Sequence, residues 1–190
     1  MEGGEKNLKK SAQVRPGFTL VELLIVIAII AILAAVVVLI INPLELTRRG
    51  RDAARLTDLS NLQNAINVAV QEATGSGAMG VLCDSDTPPT SCSGRSHVDS
   101  RASNGDGWVK ADLSSVKSVS VPTLPVDPLH PSIPNHYTYC AASDAWEIDT
   151  VLESDQQKSK MSNDGGEDDT KYEVGSNLAL IKTSGGSCTY

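Results

Sequence analysis

The chain has 190 residues and a formal net charge of −7, a length that corresponds to about one domain. Residues 1–17 hold Lys6, Lys9, Lys10 and Arg15 against Glu2 and Glu5, a balance of +2 that leaves −9 for the rest. So acidic a body argues against a nucleic-acid partner, which needs clustered Lys and Arg to neutralise phosphates.

After the basic segment, residues 18–41 are apolar except for Thr19 and Glu22. At about 1.5 Å per residue such a helix is roughly 36 Å long, enough to span a bilayer with some tilt. Basic residues before it place the N-terminus in the cytoplasm and the remainder outside. A cleaved secretory signal has an apolar region of about 7–15 residues and an Ala-x-Ala site. Here the run is longer, and Ala28, Ala31, Ala34 and Ala35 include no pair two apart, so the expectation is a retained span in contact with membrane lipid.

Glu22 lies four residues inside that span, where an acidic group costs up to about 2.5–3.5 kcal/mol at the helix centre and less near the interface. A structural alternative is simple headgroup depth. A cut after Gly17 would make Phe18 a new N-terminus, with an amine one helical turn from Glu22, able to neutralise it in the same subunit or in a packed neighbour.

The octapeptide Arg15-Pro16-Gly17-Phe18-Thr19-Leu20-Val21-Glu22, ahead of an apolar run, resembles the class III signal of type IV prepilins and type II secretion pseudopilins. The resemblance implies cleavage between Gly17 and Phe18 by a prepilin peptidase, N-methylation of Phe18, and pairing of Glu22 with a neighbour's terminal amine in a homo-oligomeric filament. It also implies an inner-membrane assembly platform with its ATPase, and a single-pass inner-membrane precursor that leaves for an extracytoplasmic or surface filament. Many members have a Gly midway along the span and a Pro near its outer end, and in them part of the helix unwinds within the filament. This chain has Ala31 and Leu39 there, with its proline at Pro43.

Residues 42–74 read as a continuation of the same helix, with Leu56, Leu59, Gln63, Ile66, Val70 and Ala73 recurring at three- and four-residue steps. Glu45–Arg49 and Arg48–Asp52 are i,i+4 pairs. Arg48, Arg49, Arg51 and Arg55 read as a solvated face, with lipid phosphates or acidic neighbours as the alternative. Gly75-Ser76-Gly77 ends the helix. Residues 75–107 are rich in Gly, Ser, Asp and Pro and read as a surface loop, and residues 112–117 as a helical turn.

Pro122, Pro125, Pro128, Pro131 and Pro134 recur every third residue, the period of a polyproline II helix, and predict a stiff lead-in to the first strand. Leu124-Pro125-Val126-Asp127-Pro128 resembles the segment that precedes the sheet in major pseudopilins. Residues 136–141 and 145–152 are strand-like around a short turn, a hairpin signature, with Trp146, Ile148 and Thr150 on one side and Glu147 and Asp149 on the other. Residues 172–174 and 178–181 offer a third strand. The resemblance implies an α+β, pilin-like fold: a leader (1–17), a membrane helix (18–41), its extracytoplasmic continuation (42–74) and a head (75–190) with a small antiparallel sheet.

All four cysteines follow the span, and an even count on the exported side suggests disulfides. Of three connectivities, Cys83–Cys92 closes one Pro-containing loop and leaves Cys140 for Cys188. Asp164, Glu167, Asp168 and Asp169 offer hard oxygen ligands suited to calcium, at a place where major pseudopilins bind it. Their spacing is not that of an EF-hand, and a solvated loop is the alternative. No other cofactor is expected. No nucleophile elbow, Walker loop or His-Glu-x-x-His occurs, so the reading is not an enzyme. It is a type IV pilus subunit, with a major pseudopilin of a secretion or competence system, or an anchored binding or adhesion domain, as alternatives.

Overall fold

The computed structural model describes residues 17–40, 42–73, 78–84, 89–131, 135–182 and 188–189. The chain divides into two compact units, Met1–Asn42 and Pro43–Tyr190. The leader up to Pro16, Ile41 of the expected span, the Gly75-Ser76-Gly77 stop and Pro134 lie outside the described residues.

The described residues of the first unit form the helix α1 (Leu20–Ile40). Over Leu20–Val38 its mean hydropathy is 3.3 and none of it is buried. Its many Val and Ile residues are middling helix formers, but a helix satisfies every backbone group within the segment, as hydrocarbon requires. The helix is uninterrupted through Ala31, where a glycine would weaken it.

The second unit opens with α2 (Pro43–Glu72). The expected continuation is therefore a separately bounded helix, with Pro43 at its first position, where a missing N–H costs nothing. Its buried residues are Glu45, Asp52, Arg55, Leu59, Leu62, Ala65, Ile66 and Ala69. Leu59 and Ile66 were legible in the expected stripe, whereas Leu56, Gln63 and Val70 are only half-buried. The true stripe runs straight through three charged residues, Glu45, Asp52 and Arg55.

A sheet of four antiparallel strands, in the order β1-β2-β3-β4, packs on α2. Its strands are β1 (Ser91–Arg95), β2 (Thr138–Ala142), β3 (Ala145–Thr150) and β4 (Tyr172–Gly175). The predicted hairpin is β2–β3, closed by Ser143 and Asp144 with φ of 52° and 63°, the two left-handed residues of a type I′ turn. Tyr139, Ala141, Trp146, Ile148 and Val174 face α2 in the core with Leu82, Trp108, Leu113 and Leu124. Two elements depart from the loop expected over residues 75–107: a short helix α3 (Ala78–Leu82) and the edge strand β1. Around Asp112, the expected helical turn is instead a cap in which Oδ1 accepts the Ser114 and Ser115 N–H groups at 2.8 and 3.3 Å.

The proline strut does not extend as its period predicts. The chain turns at Asp127, whose carbonyl accepts the His130 N–H at 2.8 Å while its Oδ1 accepts the Leu129 N–H at 2.8 Å. The Asp127 side chain imposes this local turn over the polyproline geometry.

On the sheet's outer face lie β5 (Ile181–Lys182) and β6 (Cys188–Thr189), a short parallel pair. Cys140, Ala142, Leu180, Ile181 and Cys188 form a second, smaller core there. Cys83–Cys92 and Cys140–Cys188 are bonded, at sequence separations of 9 and 48. In the chain-entropy model these loops contribute about 2.5 and about 4 kcal/mol. Non-reducing peptide mapping of exported protein is expected to recover those two cross-linked pairs; a Cys83–Cys140 peptide would contradict the arrangement.

Candidate functional site

Glu22 and Thr19 form a reciprocal cap at the start of α1. The Thr19 backbone N–H and hydroxyl donate to Glu22 Oε2 at 2.8 and 2.7 Å, and the Glu22 N–H donates to Thr19 Oγ1 at 3.2 Å. This is a capping box, which satisfies two N–H groups that a helix start leaves bare. The Thr-x-x-Glu spacing was visible in the sequence and is a second reason for an acidic residue here, beside the pairing expected across subunits. Because Thr19 lies beyond the Gly17–Phe18 bond, the cap survives a cut there. Its hydrogen bonds bring no positive charge, so a cation from elsewhere still finds a negative partner.

Gly17 and Phe18 precede α1 in non-helical backbone, with Phe18 87% exposed. The bond between them therefore lies outside the helix and is exposed. Arg15 and Pro16 lie outside the described residues. Beyond Glu22 the large apolar side chains of α1 are exposed all round the helix, as expected of a segment whose natural surroundings are lipid or other helices.

The second unit holds a charged centre that sequence reasoning missed. Arg55, expected on a solvated face, is fully buried. Its Nε and Nη2 donate to the two carboxylate oxygens of Asp127 at 2.6 and 3.0 Å, its Nη1 to Asp52 Oδ1 at 2.8 Å, and its Nη2 lies 2.5 Å from Glu153 Oε1. Arg51 also pairs with Glu153. Asp52 therefore faces Arg55 and not the expected Arg48, whereas Glu45–Arg49 pairs as predicted at 3.2 Å. Burial alone would lower the Arg55 pKa, but the hydrogen bonds to Asp127 and Glu153 more than reverse that, and it is raised.

The same carboxylates hold the backbone that follows β3. Asp52 accepts the N–H groups of Glu153 and Ser154 at 3.0 and 2.7 Å, and Glu45 accepts that of Asp155 at 3.0 Å. These donors begin the turn that runs into the 3-10 segment Lys158–Lys160, so α2 supplies its capping groups from outside. Burial pushes the Asp52 carboxyl up, yet the bonds from Ser154, Glu153 and Arg55 hold it below the usual carboxylate range.

Three of the four candidate calcium ligands, Asp164, Asp168 and Glu167, have partners in the structure. Asp164 accepts the N–H groups of Gly166 and Glu173, both at 2.9 Å. Asp168 accepts that of Thr170 at 2.9 Å, and Glu167 pairs with Lys182 at 2.6 Å. Among the described residues no three His, Cys, Asp or Glu side chains converge as a metal site. The His97 and His136 rings meet at a tilt of 53° with centroids 4.1 Å apart, and burial lowers the His136 pKa to about 4.

Compared with known families, residues 15–38 match the prokaryotic N-terminal methylation motif. No curated protein and no solved structure matches the chain. The matched segment contains Gly17, Phe18, Thr19 and Glu22 and most of α1.

Proposed function

We propose that this chain, a pilin-like precursor with the cleavage and methylation signal of the type IV pilin and pseudopilin family, is the structural subunit of a type IV pilus. In this reading a prepilin peptidase cuts after Gly17 and methylates the Phe18 amine. Residues 18–41 anchor the precursor in the inner membrane, and an assembly platform with its ATPase stacks the subunits through that helix. The observation that carries the reading is the capped, fully exposed apolar helix placed directly after the Gly17–Phe18 junction.

Assembly follows from solvation. An apolar helix leaving lipid must bury its surface against something equally apolar, and copies of itself supply that surface. A buried carboxylate in such a bundle requires a positive partner, and the Phe18 amine of a neighbouring copy is the cation the cut creates. The two disulfides and the decorated segment 75–107 favour a surface pilus, whose head meets the outside medium. The Leu124–Pro128 segment favours the second reading, a major pseudopilin.

Shearing cells and probing the released fraction tests the choice. A pilus subunit is expected in sheared filaments. Retention in the membrane fraction, together with loss of a secreted protein on deletion, would give the pseudopilin reading instead. An anchored monomer would appear in neither filament nor secretion phenotype.

A further inference from the structure

Two histidines meet at the open end of the β1–β2 ladder. The last ladder pair is Arg95 with Thr138. Beyond it the Ser96 N–H donates to the Tyr137 carbonyl at 2.9 Å, and the Tyr137 N–H to Ser96 Oγ at 2.8 Å. One residue further along each segment stand His97 and His136, with ring centroids 4.1 Å apart. Nδ1 of each ring is buried and has no hydrogen-bond partner among the described residues. The chain turns back directly after His97. The Arg95 carbonyl accepts the N–H groups of Val98 and Asp99 at 3.2 and 2.9 Å, and Asp99 Oδ2 accepts that of Arg95 at 2.7 Å.

A neutral imidazole carries one N–H donor, whereas the protonated ring carries two. A proton added to either ring therefore puts a charge beside a buried nitrogen that nothing solvates. A proton on each would set two like charges in contact.

The surrounding charges do not offset this. Arg95 and Asp99 face the pair from its own turn, Asp127 and His130 from the turn that precedes β2, and Lys171 from the residue before β4. Arg95 and Lys171 are positive, and His130 becomes so in acid. Of the two carboxylates, Asp127 holds Arg55 through both oxygens, and Asp99 is engaged in its own turn. Lys171 pairs with Asp149 at 3.3 Å.

We propose that the His97–His136 pair is an acid-operated clasp: while both rings are neutral they hold residues 96–99 against the start of β2, and in mildly acid medium the first proton opens that end of the sheet. The opening stops at Tyr137, which is fully buried with its ring centroid 5.7 Å from that of Trp108 and its hydroxyl donating to Asp58 at 2.9 Å. Burial lowers the pKa of both rings, that of His136 to about 4. Once opened, the same ring takes a proton near the ordinary histidine value of about 6.5. The clasp is thus at full strength above about pH 6.5 and weakens as pH falls from there through about 4. It lies wholly in the head and stands whether or not the chain forms a pilus.

Hydrogen exchange by mass spectrometry tests this on the full chain in detergent micelles with EDTA, at pH 7.5 and pH 5, with rates corrected for base catalysis. The lower value still lies above the ordinary carboxylate range. Protection of peptides covering residues 96–99 is expected to fall at least about tenfold at pH 5, as linkage to one ring shifted this far requires. Peptides from α2 covering residues 59–69 remain the better protected at both. His136→Phe and His136→Leu, neither able to take a proton, are each expected to show a fall at least about fivefold smaller. Equal protection of residues 96–99 in the unaltered chain at the two pH values would overturn the clasp, and that comparison needs no variant. So would a folded His136 variant that loosens as much as its parent. Exchange at pH 5 that is as fast in α2 as in residues 96–99 would also overturn it, since the head would then unfold as a whole.

Discussion

Arg55→Ala is expected to destabilise the head by about 3–5 kcal/mol, the range for removing one partner of a buried ion pair. The truncation leaves Asp52, Asp127 and Glu153 facing one another, with Arg51 paired to Glu153. Two of these carboxylates also cap or shape backbone, Asp52 at residues 153 and 154 and Asp127 at Leu129, so their repulsion is transmitted to both loops. Arg55→Lys recovers little, because an ammonium cannot reproduce the two-toothed bond to Asp127. Urea unfolding at pH 7 followed by circular dichroism measures the loss; a change below about 1 kcal/mol would mean the centre is solvated. Asp52 and Glu153 are both held below their usual range, chiefly against the burial that would raise them. Their contribution is present above the unfolded carboxylate values and is lost as acid protonates the folded groups.

Glu22→Leu is expected to leave the membrane-bound amount of the protein unchanged or higher while reducing sheared filament at least about tenfold, since an amine buried without its carboxylate is costly. Insertion is favoured because a charged group leaves the apolar span. The capping box makes a second variant informative. Glu22→Gln keeps a side chain able to cap Thr19 but carries no charge. It is expected to insert normally and assemble as poorly as the leucine variant. Full assembly of Glu22→Gln would assign Glu22 to helix capping alone. The measurement is the ratio of sheared to membrane-bound chain for each variant.

Local features of the fold were legible. The apolar span, the hairpin around Ser143 and Asp144 and the third strand at Tyr172–Gly175 all declare themselves within a few residues. The pairing of cysteines followed from loop length. Arg55 was hidden because its partners Asp127 and Glu153 lie far away in sequence, and a charge in a helix register ordinarily signals solvent. β1 was missed because Ser91–Arg95 reads SCSGR, without the β-branched or aromatic residues that mark strands. Glu147 and Asp149 were placed on the correct side of their strand, but a one-residue alternation says nothing about a second layer covering that side. The proline period misled because one side chain, Asp127, outweighed a backbone preference. Of the candidate site, the motif over residues 15–38 was legible through contiguous spacing, and the Thr19–Glu22 cap was written in the same stretch.

The central claim is that this chain is a precursor processed at Gly17–Phe18, and intact-mass and N-terminal peptide analysis of the membrane-extracted protein tests it most directly. The account predicts a mature chain that starts at Phe18 and carries a methyl group on its terminal amine, with α1 retained. A dominant species that still begins at Met1, or one cut beyond Ile41, would contradict it.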